Sequence, residues 1–375
     1  MTLVTMPESA FKLPGTEGIK YAGSKKRLLP YILQLAETVK ARSVFDGFAG
    51  TTRVSQAFAK LGYQVAANDI AVWSKVFGFC YLKNQKPATY YQKLIDHLNA
   101  LPPRDGWFTQ HYGGSSNGGA STNADGLKKP FQIHNTQKLD AIREEIDNLK
   151  LDEIETAVLL TSLMLALDEV DSTLGHFASY LNAWSPRSFG TLKLRVPLLI
   201  HSSIEHQVYQ GDIFDALEKV ETDLAYFDPP YGSNNEKMPP SRIRYAAYYH
   251  LWTTICLNDR PELFGKVKRR SDSSDVIAGS VFEDFRKSEN GNFIVVEAIE
   301  RMLRQCKARH IILSYSSGGR ATAEALHDIL SYLGKILEFV KVDYRRNVMA
   351  RMRWTNEWIR EDEKENYEYL FLLKK

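Results

Sequence analysis

The sequence predicts an α/β fold built on a mainly parallel β-sheet, and three observations lead there. Short strand-like runs alternate with helices of apolar periodicity, the rhythm of βαβ units. Several of these runs end in an acid, Asp46, Asp69, Asp212 and Asp228, so carboxylates collect along one sheet edge. Leu224 to Phe227 is apolar throughout, as a strand covered on both faces would be. With 375 residues, the chain is long enough for one large or two moderate cores.

The first element follows Tyr21-Ala22-Gly23-Ser24-Lys25, where Ser24 is placed to cap a helix carrying Leu28, Ile32, Leu35 and Val39 on one face. Residues 1 to about 17 read as a loose leader. Taken alone, the turn with Tyr21 and Lys25 reads as a solvated basic helix start. Next come the strand Ser43–Phe45, the turn Asp46-Gly47-Phe48-Ala49-Gly50-Thr51-Thr52, and a helix with Val54, Ala57, Phe58 and Leu61 that stops at Gly62. The strand Tyr63–Ala67 follows and ends in Asn68-Asp69. Asp69 lies 19 positions after Gly50, near the spacing of about 20 at which a Rossmann-like unit grips a ribose hydroxyl. The glycines do not follow G-x-G-x-x-G, which favours a nucleoside ligand over a dinucleotide. A βαβ unit without any ligand fits the same pattern.

Residues 71–206 interrupt this rhythm. Residues 113–123, rich in Gly, Ser and Asn, have the composition of a mobile loop. Leu139, Ile142, Ile146 and Leu149 mark one helix, and Leu151 to Val170 another. The α/β rhythm resumes with the strand Gln207–Gln210, then Gly211-Asp212-Ile213 and a short helix from Phe214 to Lys219. Strand-end acids such as Asp46 can also simply cap the next helix. After Leu224–Phe227 comes Asp228-Pro229-Pro230-Tyr231. The prolines end the ladder and leave a carboxylate, a directed carbonyl and an aromatic ring where ligands bind in open α/β sheets. From 237 to 270 eight basic residues meet only Asp259 and Glu262, a local charge of +6 against +3 for the whole chain. Tyr245, Tyr248, Tyr249 and Trp252 are interleaved with them, a mixture that suits a polyanion with exposed bases. Helices at Phe293–Gln305 and Ala321–Leu333 and strands at Ile311–Ser316, Ile336–Val342 and Tyr367–Leu373 complete the sheet, the last two as an antiparallel pair at its edge. A second basic and aromatic run, 344–354, lies between them.

Composition narrows the class. Apolar content of 44% and charged content of 25% are those of a soluble globular protein. Cys80, Cys256 and Cys306 are widely spaced, which suits a reducing compartment and offers no zinc spacing. The longest apolar run, Ala157 to Leu167, is too short for a bilayer span of about 20 residues. A cytoplasmic protein without membrane attachment or bound metal is expected.

In their order along the chain, Tyr21 to Lys25, Asp46 to Gly50, Asn68-Asp69, Gly211-Asp212, Asp228 to Tyr231, Tyr249-His250 and Ser314-Tyr315-Ser316 resemble the Dam-like (D12 class) site-specific DNA adenine-N6 methyltransferases of restriction–modification systems. The resemblance implies an S-adenosylmethionine-dependent, Rossmann-like class I methyltransferase fold with a seven-stranded, mainly parallel sheet. It divides the chain into a catalytic domain, residues 1–70 and 207–375, and a mostly helical target-recognition insertion, 71–206. By position, Tyr21, Lys25, Asp46, Phe48, Ala49, Gly50, Asp69, Asp212, Ile213 and Asp228 would hold the cofactor, with Asp69 on the ribose and Asp212 on the adenine amine. Asp228, Pro229, Pro230 and Tyr231 would be catalytic, with Tyr231 stacked on a flipped adenine. Arg242, Arg244, Tyr249, His250, Lys266, Lys268, Arg269 and Arg270 would face double-stranded DNA. A cognate restriction endonuclease is the expected partner. The chain departs from the family pattern at Thr52, where a glycine is usual, and a side chain there is expected to crowd the cofactor. An RNA adenine-N6 methyltransferase, a catalytically inactive DNA-binding homologue and cytosine-N4 transfer are the alternative readings.

Overall fold

The structure, a computed structural model, describes residues 13–115, 121, 123, 125–231, 244–274, 277–284, 286–343 and 367–375. Seven strands form one sheet: β1 (Ser43–Asp46), β2 (Gln64–Asp69), β3 (Gln207–Gln210), β4 (Leu224–Phe227), β5 (His310–Ser316), β6 (Lys335–Asp343) and β7 (Tyr367–Lys374). Their order across the sheet is 6-7-5-4-1-2-3. Neighbours are parallel except at β7, which is antiparallel to both β5 and β6. The expected seven-stranded, mainly parallel sheet with an antiparallel edge pair is therefore present.

Alternation along the central strands assigns the two faces. Val44, Val65, Ala67, Leu224, Tyr226, Ile312, Leu370 and Leu372 enter one core, together with α1 (Leu29–Thr38) and α2 (Arg53–Lys60). Phe45, Ala66, Ala225, Phe227, Ile311, Leu313, Phe371 and Leu373 enter the other, against α8 (Ile213–Lys219), α11 (Ile294–Gln305) and α12 (Ala323–Leu333). Between β2 and β3 lie α3 (Val72–Gly78), α4 (Ala88–Ala100), α5 (Trp107–Tyr112), α6 (Ile133–Asn148) and α7 (Glu153–Val170). The α7 start is set by a capping box in which Asp152 accepts from the Glu155 amide and Glu155 accepts from that of Asp152. This helical region shares its core with the first face of the sheet.

Three expectations change. Ser24 does not cap α1. Residues Lys25–Arg27 form a 3-10 turn instead, and α1 begins at Leu29, because Lys25 is drawn inward and buried. Glu17 is no part of a loose leader. It is buried and receives hydrogen bonds from Arg195, Tyr81 and the Leu198 amide. Gly113 and Gly114 are not a mobile stretch either, since they pair with Phe131–Gln132 as a buried two-residue ribbon. A Cβ on Gly114 would lie 2.8 Å from the Trp184 ring. The run 344–354 lies outside the described residues. Among the described residues no helix is long and apolar enough to cross a membrane.

Candidate active site

A cavity of about 890 Å³ opens along the carboxyl ends of β1, β2, β3 and β4. Its position follows from the topology, because adjacent parallel strands turn away there and leave a crevice. Asp46, Asp69, Asp212 and Asp228, one from each strand end, all line it, and so do Tyr21, Lys25, Phe48, Ala49, Gly50 and Ile213.

The turn after β1 shapes one side. Gly47 packs so closely that a Cβ there would lie 2.6 Å from the Phe227 ring. Its amide donates to the Tyr226 carbonyl at 3.0 Å, and the Ala49 amide donates to Asn68 at 2.9 Å. Asp69 closes the same turn from β2, accepting from the Gly50 amide at 2.8 Å and the Ala71 amide at 2.9 Å. Burial raises the Asp69 carboxyl, and those amides oppose the rise. Asp46 is buried beneath them. One of its oxygens accepts from the Ser55 hydroxyl at 2.6 Å, and Oδ1 has no partner among the described residues. Burial pushes this acid up to about 7, against the Ser55 bond and with help from Asp228 and Asp69. Asn68 Oδ1 is a second buried acceptor without a partner among the described residues. Asp212 is exposed on the rim, where it caps α8 by accepting from the Phe214 amide at 2.8 Å.

Thr52 corrects the expectation of crowding. Its backbone is left-handed, φ +58°, which explains why glycine suits the position. Its side chain is fully buried and accepts from Gln56 Nε2 at 3.1 Å, and it is not part of the cavity wall. The departure from glycine thus changes backbone strain rather than cavity space.

At the end of β4, Asp228 meets Lys25, whose ammonium is 3.1 Å from Asp228 Oδ1 and 3.3 Å from Glu368 Oε2. The Tyr231 hydroxyl accepts from Lys25, donates to Asp228, and lies 3.3 Å from Glu368 Oε2. Burial lowers the Lys25 ammonium, but Asp228 and Glu368 together outweigh it and raise its pKa. Burial lifts Asp228 to about 6, with Lys25 opposing and Glu368 reinforcing. Tyr231 is turned onto this cluster, its ring edge-on to Tyr315 at 4.7 Å. Its carbonyl is held by Tyr315 and by the Arg320 amide, so the loop after β5 clamps the Pro-Pro turn. Pro230 faces the cavity, whereas Pro229 is buried. On the other side Tyr21 stacks on Tyr249 at 4.8 Å and contacts Trp73 and Tyr245.

Not every residue assigned from sequence to the nucleic-acid face lies on a surface. Tyr249 and His250 are buried, in α9 (Tyr245–Tyr248) and α10 (His250–Leu257) or between them. The Tyr249 hydroxyl accepts from the Ala22 amide at 2.7 Å, and burial lowers His250 to about 3. Arg270 is buried in ion pairs with Asp259 and Asp272. Tyr249 and Arg270 have their polar groups paired inside the fold, and His250 bonds the Phe177 carbonyl through Nε2 at 3.3 Å, while His250 and Arg270 also line the cavity. Lys266 is exposed, Arg244, Lys268 and Arg269 are half-buried, and Arg242 lies outside the described residues. Sequence reasoning missed Glu368, Trp73 and Phe282, and placed Tyr245 only in the basic, aromatic stretch, not on the cavity wall. The signal for Glu368 was an acid in the otherwise apolar and aromatic run Tyr367–Leu373.

Comparison with known proteins adds the following. Residues 21–311 match the family described as D12 class N6 adenine-specific DNA methyltransferase. The Type II methyltransferase M.NlaIII of Neisseria lactamica is 28% identical over 366 residues, 95% of this chain and 99% of the relative. The modification methylase StsI of Streptococcus sanguinis is 29% identical over 381 residues, and the Type II methyltransferase M.FokI of Planomicrobium okeanokoites 27% over 370. Each of these two alignments covers 95% of this chain but only 52% and 53% of the relative, so the chain spans about half the length of those two proteins.

Proposed function

We propose, for a chain that belongs to the D12 class N6 adenine-specific DNA methyltransferases, that it transfers a methyl group from S-adenosylmethionine to adenine N6 at one sequence in double-stranded DNA, as the modification enzyme of a restriction system. The observation that carries this reading is the Asp228 carboxylate, 16% exposed, which lies on the wall of the same cavity that Asp46, Asp69 and Gly50 line.

The donor groups of S-adenosylmethionine fit the acceptors present. An ammonium suits the unpartnered Asp46 and Asn68 oxygens near the Gly47–Gly50 turn, ribose hydroxyls suit Asp69, and an adenine amine suits Asp212 on the rim. When bound, this cofactor supplies a methyl group on a positively charged sulfur. The chain's own residues do the rest. Adenine N6 is a weak nucleophile because its lone pair is shared with the ring. Asp228 accepts an amine hydrogen, favours the pyramidal nitrogen and stabilises the positive charge that develops on it. The Pro229 carbonyl is assigned to the second hydrogen. Alignment within a walled cavity supplies much of the remaining acceleration. The base must leave the duplex to reach Asp228, and Tyr231 is the ring assigned to receive it. Thr52 lies off the cavity wall, which supports an active enzyme over an inactive homologue.

The helical region 71–206 is assigned to target recognition, with Lys266, Lys268, Arg269 and Arg244 toward the phosphates. Asp228→Ala is expected to abolish transfer from tritiated donor to unmethylated DNA, while calorimetry finds cofactor affinity within about threefold of wild type. Near-normal turnover in that variant rules the assignment out.

A further inference from the structure

We propose that Glu368 is a positioning residue for the transfer: from β7 it shares the Lys25 ammonium and the Tyr231 hydroxyl with Asp228, and so fixes the direction and charge of the carboxylate that meets the target amine. The inference rests on the reading of Asp228 given above.

Glu368 reaches this cluster through the sheet. Because β7 is antiparallel, its first residues lie level with the last residues of the parallel strands, and Glu368 pairs with Ser316 at the end of β5. Leu313 of β5 in turn pairs with Phe227, the residue before Asp228. The side chain is largely buried, 10% exposed, beside a Lys25 side chain that is 6% exposed. A buried carboxylate in an apolar strand is retained only where it has a partner, and here its partners are the two groups that also touch Asp228.

The arithmetic of charge gives it a purpose. Lys25 and Asp228 alone would form a neutral, tightly held ion pair. Such a pair offers a weak acceptor to an amine, and it leaves no net negative charge beside a nitrogen that becomes positive. With Glu368 taking half of Lys25, the cluster keeps a net negative charge and Asp228 keeps its strength as an acceptor. Tyr231 has one proton and two carboxylates within reach, so Glu368 also supplies a second hydrogen-bond position for that hydroxyl.

Several other groups face Asp228. They are Lys25 from the first turn, Tyr231 from its own turn, Asp46 from β1, Tyr226 from β4, Tyr245 from α9, and Tyr21. Among the described residues, Glu368 is the carboxylate that contacts Lys25 directly besides Asp228 itself. Removing its charge leaves Lys25 wholly to Asp228 and takes away a like charge, and both changes ease ionisation of Asp228.

The test is Glu368→Gln in the full-length enzyme, an isosteric change that removes only charge. Transfer of tritiated methyl to unmethylated DNA is measured at saturating substrates from pH 5 to 9, and S-adenosylmethionine affinity by calorimetry. The expected result is a plateau kcat lower by roughly tenfold or more, an acid limb displaced to lower pH, and cofactor affinity within about threefold. An unmoved limb overturns the proposal, whether kcat stays near wild type or falls, since a merely structural role would leave the limb in place. If the Gln variant does not fold, Glu368→Asp replaces it. That variant keeps the charge but draws it back by one methylene, so kcat should fall by about fivefold or more with the limb in place, and wild-type kcat in the folded variant overturns the proposal. Asp228→Asn is assayed alongside. Should it retain turnover, the reading of Asp228 falls; should it be inactive while Glu368→Gln behaves as wild type, only the role of Glu368 falls.

Discussion

Asp46 carries a stability cost that its proposed role in holding the cofactor would explain. Its carboxyl is buried with one oxygen unpartnered, and burial lifts it to about 7 from an unfolded value near 3.9. A folded state that holds a proton more tightly gains stability from it below about pH 3.9, and loses that contribution as pH rises through about 7. Asp46→Asn removes the loss. Its melting temperature is therefore expected to match wild type at pH 4 and to exceed it at pH 8, as measured by calorimetric scanning, with weakened cofactor binding as the functional cost. A variant less stable than wild type by the same amount at both values would show that Asp46 serves packing alone.

At the scale of the element, the turn from β1 into α2 bends on two left-handed residues, Gly50 at φ +49° and Thr52 at φ +58°. A β-branched residue pays a conformational strain there of order 1–3 kcal/mol. Its hydroxyl bond to Gln56 offsets part of that strain, and Gln56 in turn holds the Glu17 backbone from both sides. Since the side chain is off the cavity wall, Thr52→Gly is expected to leave S-adenosylmethionine affinity within about threefold, measured by titration calorimetry. A tightening of tenfold or more would mean that the threonine does crowd the cofactor.

How much could be read without coordinates also separates at this scale. The strand-end acids Asp46, Asp69, Asp212 and Asp228 were legible because parallel strands bring their carboxyl ends to one edge whatever the loops do. The partnership of Gly50 with Asp69 follows from a local spacing. Glu368 was not legible, because its place depends on β7 entering the sheet backwards, a long-range pairing that no nearby residue signals. Tyr249, His250 and Arg270 lie buried where an exposed face was expected, because a basic, aromatic composition reads alike on a solvated surface and inside a core with paired charges. Ser24 failed as a cap because a tertiary contact, Lys25 to Asp228, overrode the local preference and tightened the first turn.

Across the whole molecule, the helical region between β2 and β3 is continuous with the core on one face of the sheet, while the cavity opens at the sheet's carboxyl edge. Glu17 ties the two parts together, since its backbone holds Gln56 of α2 and its carboxylate holds Arg195 and Tyr81. The helical region proposed for sequence recognition and the cavity proposed for methyl transfer thereby share one core, the support a site-specific enzyme would need. The most direct test of this account is to express the chain in a host without adenine methylation and to map modified bases across the genome by long-read sequencing. The account predicts N6-methyladenine at one sequence motif, and none with Asp228→Ala. Modified cytosine, or an unmodified genome in cells that contain the folded protein, would contradict it.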